Sequence, residues 1–268
     1  MAELSATFAG SIPEYYDACL GPAWFDPFAQ DLAERLPSKP PGGVLEIACG
    51  TGLLSKRVRE RLEPGVRFVA TDLSKAMLDY ARAKLPGASI EWREADAARL
   101  PFADGEFGAV LCSFGVMFVP DRRAAFREAR RVLKPGGIFL FNVWDRIEEN
   151  THGLAHAQLI EELFPGDQEV RFRTPFEMHD PALLRSLLAE SGFRETRLEK
   201  KRIDMDGLSA RSIAVGQIRG TPRSLLLEKR GANLEDVVAR LAAVLARLGG
   251  DPYRGQAQAV VVEAVASS

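Results

Sequence analysis

The sequence predicts an α/β fold: a seven-stranded, mostly parallel sheet with helices on both faces and a small helical lid. Three observations carry that prediction. Between Val44 and Val143, short β-branched or aromatic runs alternate with turn residues and helical patterns. The first run ends in a glycine-containing loop, Cys49-Gly50-Thr51-Gly52, that opens a helical pattern. Two further apolar, periodic stretches lie outside the alternation, at 145–178 and 206–250, and read as lid helices rather than plain loops.

Val44–Ala48 forms the first strand, and Leu53, Leu54, Val58 and Leu62 follow at helical spacing until Pro64-Gly65. Val66–Thr71 is the second strand and ends on Asp72, after which Ser74 caps a helix bearing Met77, Leu78 and Ala81. A third strand lies around Ile90 and Trp92, with Asp96 just past its end. Phe107–Ser113 is a buried fourth strand, and Asp121 caps a helix carrying Phe126, Ala129 and Leu133. Pro135-Gly136-Gly137 breaks that helix before the fifth strand, Ile138–Val143. Asp180-Pro181 opens the helix of Leu183, Leu184, Leu187 and Leu188, which Ser191-Gly192 closes ahead of a sixth strand over Phe193–Ile203. The clearest helix runs from the cap Asn233 to Gly249, with Val237, Val238, Leu241 and Leu245 on one face. The β-branched run Ala259–Val262 is the seventh strand, with Ile213–Ile218 as the alternative. The organisation is therefore a helical segment over 1–40, a core over 41–145, a lid insertion over 146–178, a core helix and strand over 179–205, a helical lid over 206–250, and a strand and tail over 251–268.

The chain has 268 residues, 46% of them hydrophobic and 27% charged, with a net charge of −2. Such a balance gives no general field for a polyanion, so no nucleic-acid partner is expected. The basic cluster Lys200-Lys201-Arg202 reads as a solvated strand end. Cys19, Cys49 and Cys112 lack the spacings of zinc sites or disulfide frameworks, and no stretch has the length and apolarity of a membrane span. With no leader-like segment at the N-terminus, a cytoplasmic protein without a membrane partner is expected.

In an open α/β sheet, ligands sit outside the carboxyl ends of the strands. Gly50 and Gly52 let the backbone approach a ligand there. Asp72 can accept from both hydroxyls of a ribose, or alternatively cap the next helix. Asp96 can accept from an exocyclic amine while the Ala97 amide donates to the ring, or alternatively belongs to a solvated turn. Three such placements at successive strand ends indicate a nucleoside site. A dinucleotide fits poorly, because the third glycine of Gly-x-Gly-x-x-Gly is missing and the acidic Glu46 would face a pyrophosphate. A cofactor carrying an amino group and a sulfonium suits that acid better, and no phosphate-cradling Gly-x-x-x-x-Gly-Lys-Ser/Thr loop is present.

Val44-Leu45-Glu46-Ile47-Ala48-Cys49-Gly50-Thr51-Gly52, Ala70-Thr71-Asp72-Leu73-Ser74, Asp96-Ala97, Leu100-Pro101-Phe102 and Leu133-Lys134-Pro135-Gly136-Gly137 together resemble the ordered motifs of class I S-adenosylmethionine-dependent methyltransferases. Within them, the set is most similar to the small-molecule enzymes of the ubiquinone/menaquinone-biosynthesis kind. Ala48 stands where that loop usually has its first glycine, which bears on the tightness of the turn. The resemblance implies a Rossmann-like sheet, S-adenosyl-L-methionine as cofactor and S-adenosyl-L-homocysteine as product. It places Gly50 and Gly52 beside the methionine part, Asp72 at the ribose, Asp96 and Ala97 at the adenine and Ser113 nearby, with Glu46, Ala48 and Leu73 also among the cofactor-binding residues. The stretch Tyr15-Tyr16-Asp17 resembles the N-terminal segment that closes over the cofactor, which brings in Tyr16.

Methyl transfer from a sulfonium needs alignment and desolvation, and a base only where the acceptor must lose a proton. The candidate bases are His152, His156, His179 and Tyr16. His152 and His156 are spaced i, i+4 but lack the intervening glutamate of a metalloprotease helix, so no metal is expected. Phe114, Met117, Phe118 and Trp144 follow the fourth and fifth strands and would line the space for a small apolar or aromatic methyl acceptor. The competing reading is a non-catalytic protein that binds the same cofactor and uses its lid helices for partners.

Overall fold

A computed structural model describes residues 10–267. The part of the N-terminal segment before Gly10 lies outside the described residues. Strands β1 (Val44–Glu46), β2 (Phe68–Asp72), β3 (Glu91–Glu94), β4 (Phe107–Ser113), β5 (Leu133–Trp144), β6 (Phe193–Met205) and β7 (Gly255–Ala266) form one sheet in the order β3-β2-β1-β4-β5-β7-β6. Pairings among β1 to β5 are parallel, and β7 runs antiparallel between β5 and β6. Strand order reverses at β1 and β4, which opens a crevice at their carboxyl ends.

Alternation along the strands divides the core in two. Val44, Ala70, Leu111, Leu140 and Val261 face one layer with Leu32, Leu54, Val58 and Leu78. Leu45, Val69, Val110, Phe139, Phe141 and Val262 face the other with Phe126, Leu184 and Leu188. Helices α2 (Asp26–Glu34), α3 (Leu53–Arg61) and α4 (Lys75–Lys84) supply the first layer, α5 (Arg122–Val132) and α7 (Pro181–Glu190) the second. Expected caps form at Ser74, Asp121 and Asp180, whose side chains accept from the amides of Met77, Ala124 and Ala182.

Three local features differ from the sequence reading. The first strand ends at Glu46, because Ile47–Ala48 already turn into the loop. The fifth begins at Leu133, since Leu133 pairs with Phe107 across a register shift and carries Pro135-Gly136-Gly137 into the strand. The seventh strand is the C-terminal run, as expected, and the alternative, Ile213–Ile218, is helical within α8 (Ala210–Arg219). Finally, a short helix α1 (Ile12–Tyr15) passes into a ten-residue π-helix, Tyr16–Phe25, and then into α2.

The two segments outside the alternation pack together. Helix α6 (Thr151–Leu163) comes from the first, and α8, α9 (Arg223–Lys229) and α10 (Leu234–Gly249) from the second. The Asn233 side chain accepts from the Glu235 amide at 2.9 Å at the start of α10. Asn233→Ala should therefore cost about 1 kcal/mol of stability in urea unfolding; an unchanged midpoint would remove the cap from the account of α10. The Lys200-Lys201-Arg202 cluster is tied up in ion pairs to Asp145, Asp31 and Glu149 at 2.9, 3.0 and 3.2 Å. No helix among the described residues is long and apolar enough to cross a membrane.

Candidate active site

The loop after β1 owes its shape to residues 48–52. Ala48, Gly50 and Gly52 all have positive φ, at 54°, 53° and 77°. For alanine this conformation costs about 1–2 kcal/mol. Gly115, after β4, makes room for it: a Cβ on Gly115 would lie 2.4 Å from the Ala48 Cβ. Ala48 thus replaces a glycine in the loop while a glycine faces it from the next strand end. At Gly52 a Cβ would press on Ala81, Leu85 and Trp92. At Gly50 a Cβ would meet nothing within 4 Å, so the loop presents bare backbone to open space.

Asp72 fastens this loop to the end of β2. Its Oδ2 accepts from the Gly50 amide and its Oδ1 from the Ser74 amide, both at 2.8 Å. Each oxygen keeps a lone pair, so the carboxylate can still receive two hydroxyls. Burial raises the Asp72 pKa, and the amides of Ser74, Gly50 and Leu73 oppose that rise. Leu73 is half-buried beside it. Asp96 is partly buried past β3, where its Oδ1 accepts from the Ala98 amide at 2.9 Å, and the partly buried Ala97 packs against the core. Ser113 is half-buried at the end of β4.

Glu46 is buried, and its Oε2 accepts from Ser55 Oγ at 2.6 Å. Burial pushes its pKa up to about 8 against the Ser55 hydrogen bond, and the Asp72 charge adds to the rise. The carboxyl is thus favoured in its protonated form, and folding takes up a proton wherever the unfolded chain has released it. Stability from this group is complete below pH 4.5 and is lost as pH rises towards 8. Glu46→Gln should therefore gain on the wild type between pH 5 and 8, by on the order of a few kcal/mol in urea unfolding. A difference that does not change with pH would contradict this account of Glu46.

Tyr16 lies in the π-helix, close enough to Asp72 and Asp17 that burial and both carboxylates push its phenol far above the ordinary range. It also stacks on Phe25 at 4.8 Å. Phe25 is the near edge of an aromatic cluster centred on Trp144, which stacks on Phe114 at 4.3 Å and meets Trp24, Phe28 and Phe176. Phe114 itself has φ 51°, held by Asn142, whose backbone and side-chain oxygens both accept from the Phe114 amide. The cluster therefore begins immediately after β4, next to Gly115, which lies against Ala48 of the loop after β1. Met117 is buried with it, but Phe118 is 50% exposed and lines a separate open cleft with Asp121, Arg122 and Leu183.

The histidines do not behave as solvated bases. His152 and His156 are fully buried on α6, and desolvation brings both pKa values down to about 3. His152 stacks on Trp24 at 4.3 Å and His156 on Phe172 at 4.1 Å. Among the described residues no cluster of three metal-ligating side chains includes them. His179 sits apart, its Nδ1 donating to the Phe176 carbonyl at 2.7 Å. The sequence reading passed over Asn142, Trp24, Gly115, Gln217 and Arg223, none of which belongs to a recognisable motif.

This strand order, with a glycine loop after β1 and an acid at the end of β2, defines a Rossmann-like α/β protein with its ligand crevice at the ends of β1 and β4. Residues 45–141 match the family described as Methyltransferase domain. The chain is 37% identical over 139 residues to the demethylmenaquinone methyltransferase of Thermus thermophilus, covering 51% of this chain and 61% of that one. It is 33% identical over 164 residues to the ubiquinone/menaquinone biosynthesis C-methyltransferase UbiE of Pseudomonas fluorescens, covering 56% and 64%. Among solved structures, a chain from the complex of the Haloferax volcanii Trm112 methyltransferase activator superposes with a TM-score of 0.63 at 18% identity, covering 99% of this chain and 98% of that one. These matches assign residues 45–141 to a methyltransferase domain. The chain's similarity spans from about a third to less than two thirds of the length of the curated relatives it matches.

Proposed function

We propose that this protein transfers a methyl group from S-adenosyl-L-methionine to a small apolar or aromatic molecule, releasing S-adenosyl-L-homocysteine. The observation that carries this reading is the juxtaposition of the Glu46–Gly50–Asp72 cradle with the Phe114–Trp144 aromatic cluster, one on either side of the β1–β4 crevice. When bound, the cofactor supplies a sulfonium-activated methyl that is displaced in line.

The chain's own residues suit that group. Asp72 would offer lone pairs to the ribose hydroxyls, Asp96 and the Ala97 amide would hold the adenine, and Gly50 would give bare backbone to the methionine part. Thr51 Oγ1 is buried without a partner beside that backbone. Glu46 supplies the carboxylate for the amino group, whose charge would draw it into its ionised form. Tyr16 caps the cradle as a neutral phenol, in keeping with an N-terminal segment that closes over the cofactor.

His152 and His156 are buried and stacked and Tyr16 holds its proton, so these residues contribute alignment and exclusion of water. The aromatic cluster provides the dry wall for an acceptor, and the free thiols of Cys19, Cys49 and Cys112 suit a reducing, cytoplasmic setting. Incubation with methyl-labelled cofactor and a metabolite panel tests the reading. Label is expected in aromatic or apolar members; label confined to strongly hydrophilic members would overturn the acceptor class, and transfer to none would overturn the activity.

A further inference from the structure

The π-helix Tyr16–Phe25 runs past the ends of three strands. At its start, Tyr16 lies close enough to Asp72, at the end of β2, to feel that carboxylate's charge. Next to it, Asp17 is fixed to α4: its Oδ1 pairs with Lys84 Nζ at 2.5 Å and its Oδ2 accepts from the Tyr80 hydroxyl at 3.3 Å. Gly21 faces Leu53, the first residue of α3 after the glycine loop of β1, and a Cβ on Gly21 would lie 3.4 Å from that side chain. Phe25 then meets Phe114, just past β4, with ring centroids 5.4 Å apart. These contacts follow the strand order β2-β1-β4, so the segment forms a strap across the crevice that holds Gly50 and Asp72.

The strap is also packed against α8, and two glycines of that helix make the approach possible. A Cβ on Gly216 would lie 2.4 Å from Leu20 Cδ2 and 2.7 Å from Cys19 Cβ. One on Gly220 would lie 2.8 Å from the Tyr16 amide nitrogen and 3.0 Å from its Cα. Cys19 Cβ and the Tyr16 backbone cannot swing aside as the end of a side chain could. Glycine is among the poorest helix formers, so Gly216 inside α8 answers to this contact and not to helix formation. Helix α8 is held in turn by α6, where the His152 carbonyl accepts from Gln217 Nε2 at 3.1 Å and the His152 ring stacks on Trp24 of the strap at 4.3 Å. Strap, α8 and α6 therefore pack as one unit.

We propose that α8 is the clasp of the cofactor site, with Gly216 and Gly220 as positioning residues that seat the Tyr16–Phe25 strap over S-adenosylmethionine. The proposal rests on the methyltransferase reading and adds to it an element that holds the cofactor without touching it. A cofactor beneath the strap favours the seated strap, and the seated strap favours docked α8, so the coupling acts in both directions. Affinity then depends on a helix contact remote in sequence from the cofactor loop.

Amide hydrogen exchange of the wild-type protein, with and without saturating S-adenosylhomocysteine, reads that coupling. Ligand should slow exchange in Tyr16–Phe25 and Ala210–Arg219 by about tenfold or more beyond any slowing in α7, which packs on α5 and β6 instead. In calorimetry, Gly216→Ala should bind S-adenosylhomocysteine about tenfold or more weakly, because the added Cβ lifts the strap from its seat. Asn233→Ala, which weakens the start of α10 instead, should stay within about twofold of the wild type. Equal slowing in α7 and α8, no slowing in α8, unchanged affinity of Gly216→Ala, or the same loss in Asn233→Ala would overturn the proposal. Where Gly216→Ala does not fold, the exchange result on the wild type decides. Failure of the wild type to bind S-adenosylhomocysteine would contradict the methyltransferase reading and the clasp with it, whereas binding with any of the adverse outcomes removes the clasp alone.

Discussion

Asp72→Ala should weaken S-adenosylhomocysteine binding at least a hundredfold while the protein stays folded. The carboxylate has two tasks under this account. It fixes the loop through the Gly50 amide and the Ser74 amide, and it keeps a free lone pair on each oxygen for the ribose. Hydrogen bonds to a charged group contribute about 1.5–3 kcal/mol each, so losing two to the ribose alone exceeds a factor of a hundred. Ser74 caps α4 through its own hydroxyl, so the helix keeps its cap in the variant. Calorimetry with circular dichroism on the same samples checks both halves. Unchanged affinity would remove the ribose role, whereas collapse of the fold would assign Asp72 to structure.

Trp144→Ala should cost about 3–5 kcal/mol in urea unfolding, the range for truncating a large aromatic in a packed core. Trp144 is 5% exposed and meets six other rings, those of Trp24, Phe25, Phe28, Phe114, His152 and Phe176. No neighbour can fill the space without abandoning its own packing. Trp144→Phe keeps most of the contact and should lose less than half as much. If the cluster lines the acceptor side as proposed, the larger truncation should also reduce methyl transfer to aromatic acceptors by more than it reduces S-adenosylhomocysteine affinity. A stability loss below about 1 kcal/mol would mean that the cluster is not a packed unit.

How legible these features were in the sequence depends on the range of the physics behind them. Strands β1 to β5 and their helices rest on local patterning and punctuation by Gly, Pro and capping residues, and Asp180-Pro181 and Asn233 act where the sequence puts them. The π-helix Tyr16–Phe25 gives no comparable signal. Its hydrogen bonds skip one residue more than an α-helix, Pro22 lies inside it, and its apolar residues show no clean period. The choice between Ile213–Ile218 and the C-terminal run for the seventh strand turns on long-range pairing. β7 joins Val260–Val262 to β5 and to β6, while Ile213 and Ile218 are held in the lid beside Leu20 and Gly216.

The same distinction holds in the site. Glu46, Gly50 and Asp72 occupy the predicted strand ends because topology fixes them there. His152 and His156 were legible only as an i, i+4 pair, since their burial against Trp24 and Phe172 depends on segments more than a hundred residues apart in one case and a lid loop in the other. The accommodation of Ala48 by Gly115 likewise links two strand ends that sequence spacing does not connect. Chemistry set by the order of the strands could be read from the chain; chemistry set by the lid had to await its packing.

The most direct test of the central claim, that the carboxyl ends of β1 to β3 hold a sulfonium nucleoside, is a crystal structure grown with S-adenosylhomocysteine. Both ribose hydroxyls should lie within hydrogen-bonding distance of Asp72, with the adenine at Asp96–Ala97 and the amino group at Glu46. Ligand bound elsewhere on the molecule, or lying in the crevice without touching Asp72, would contradict it.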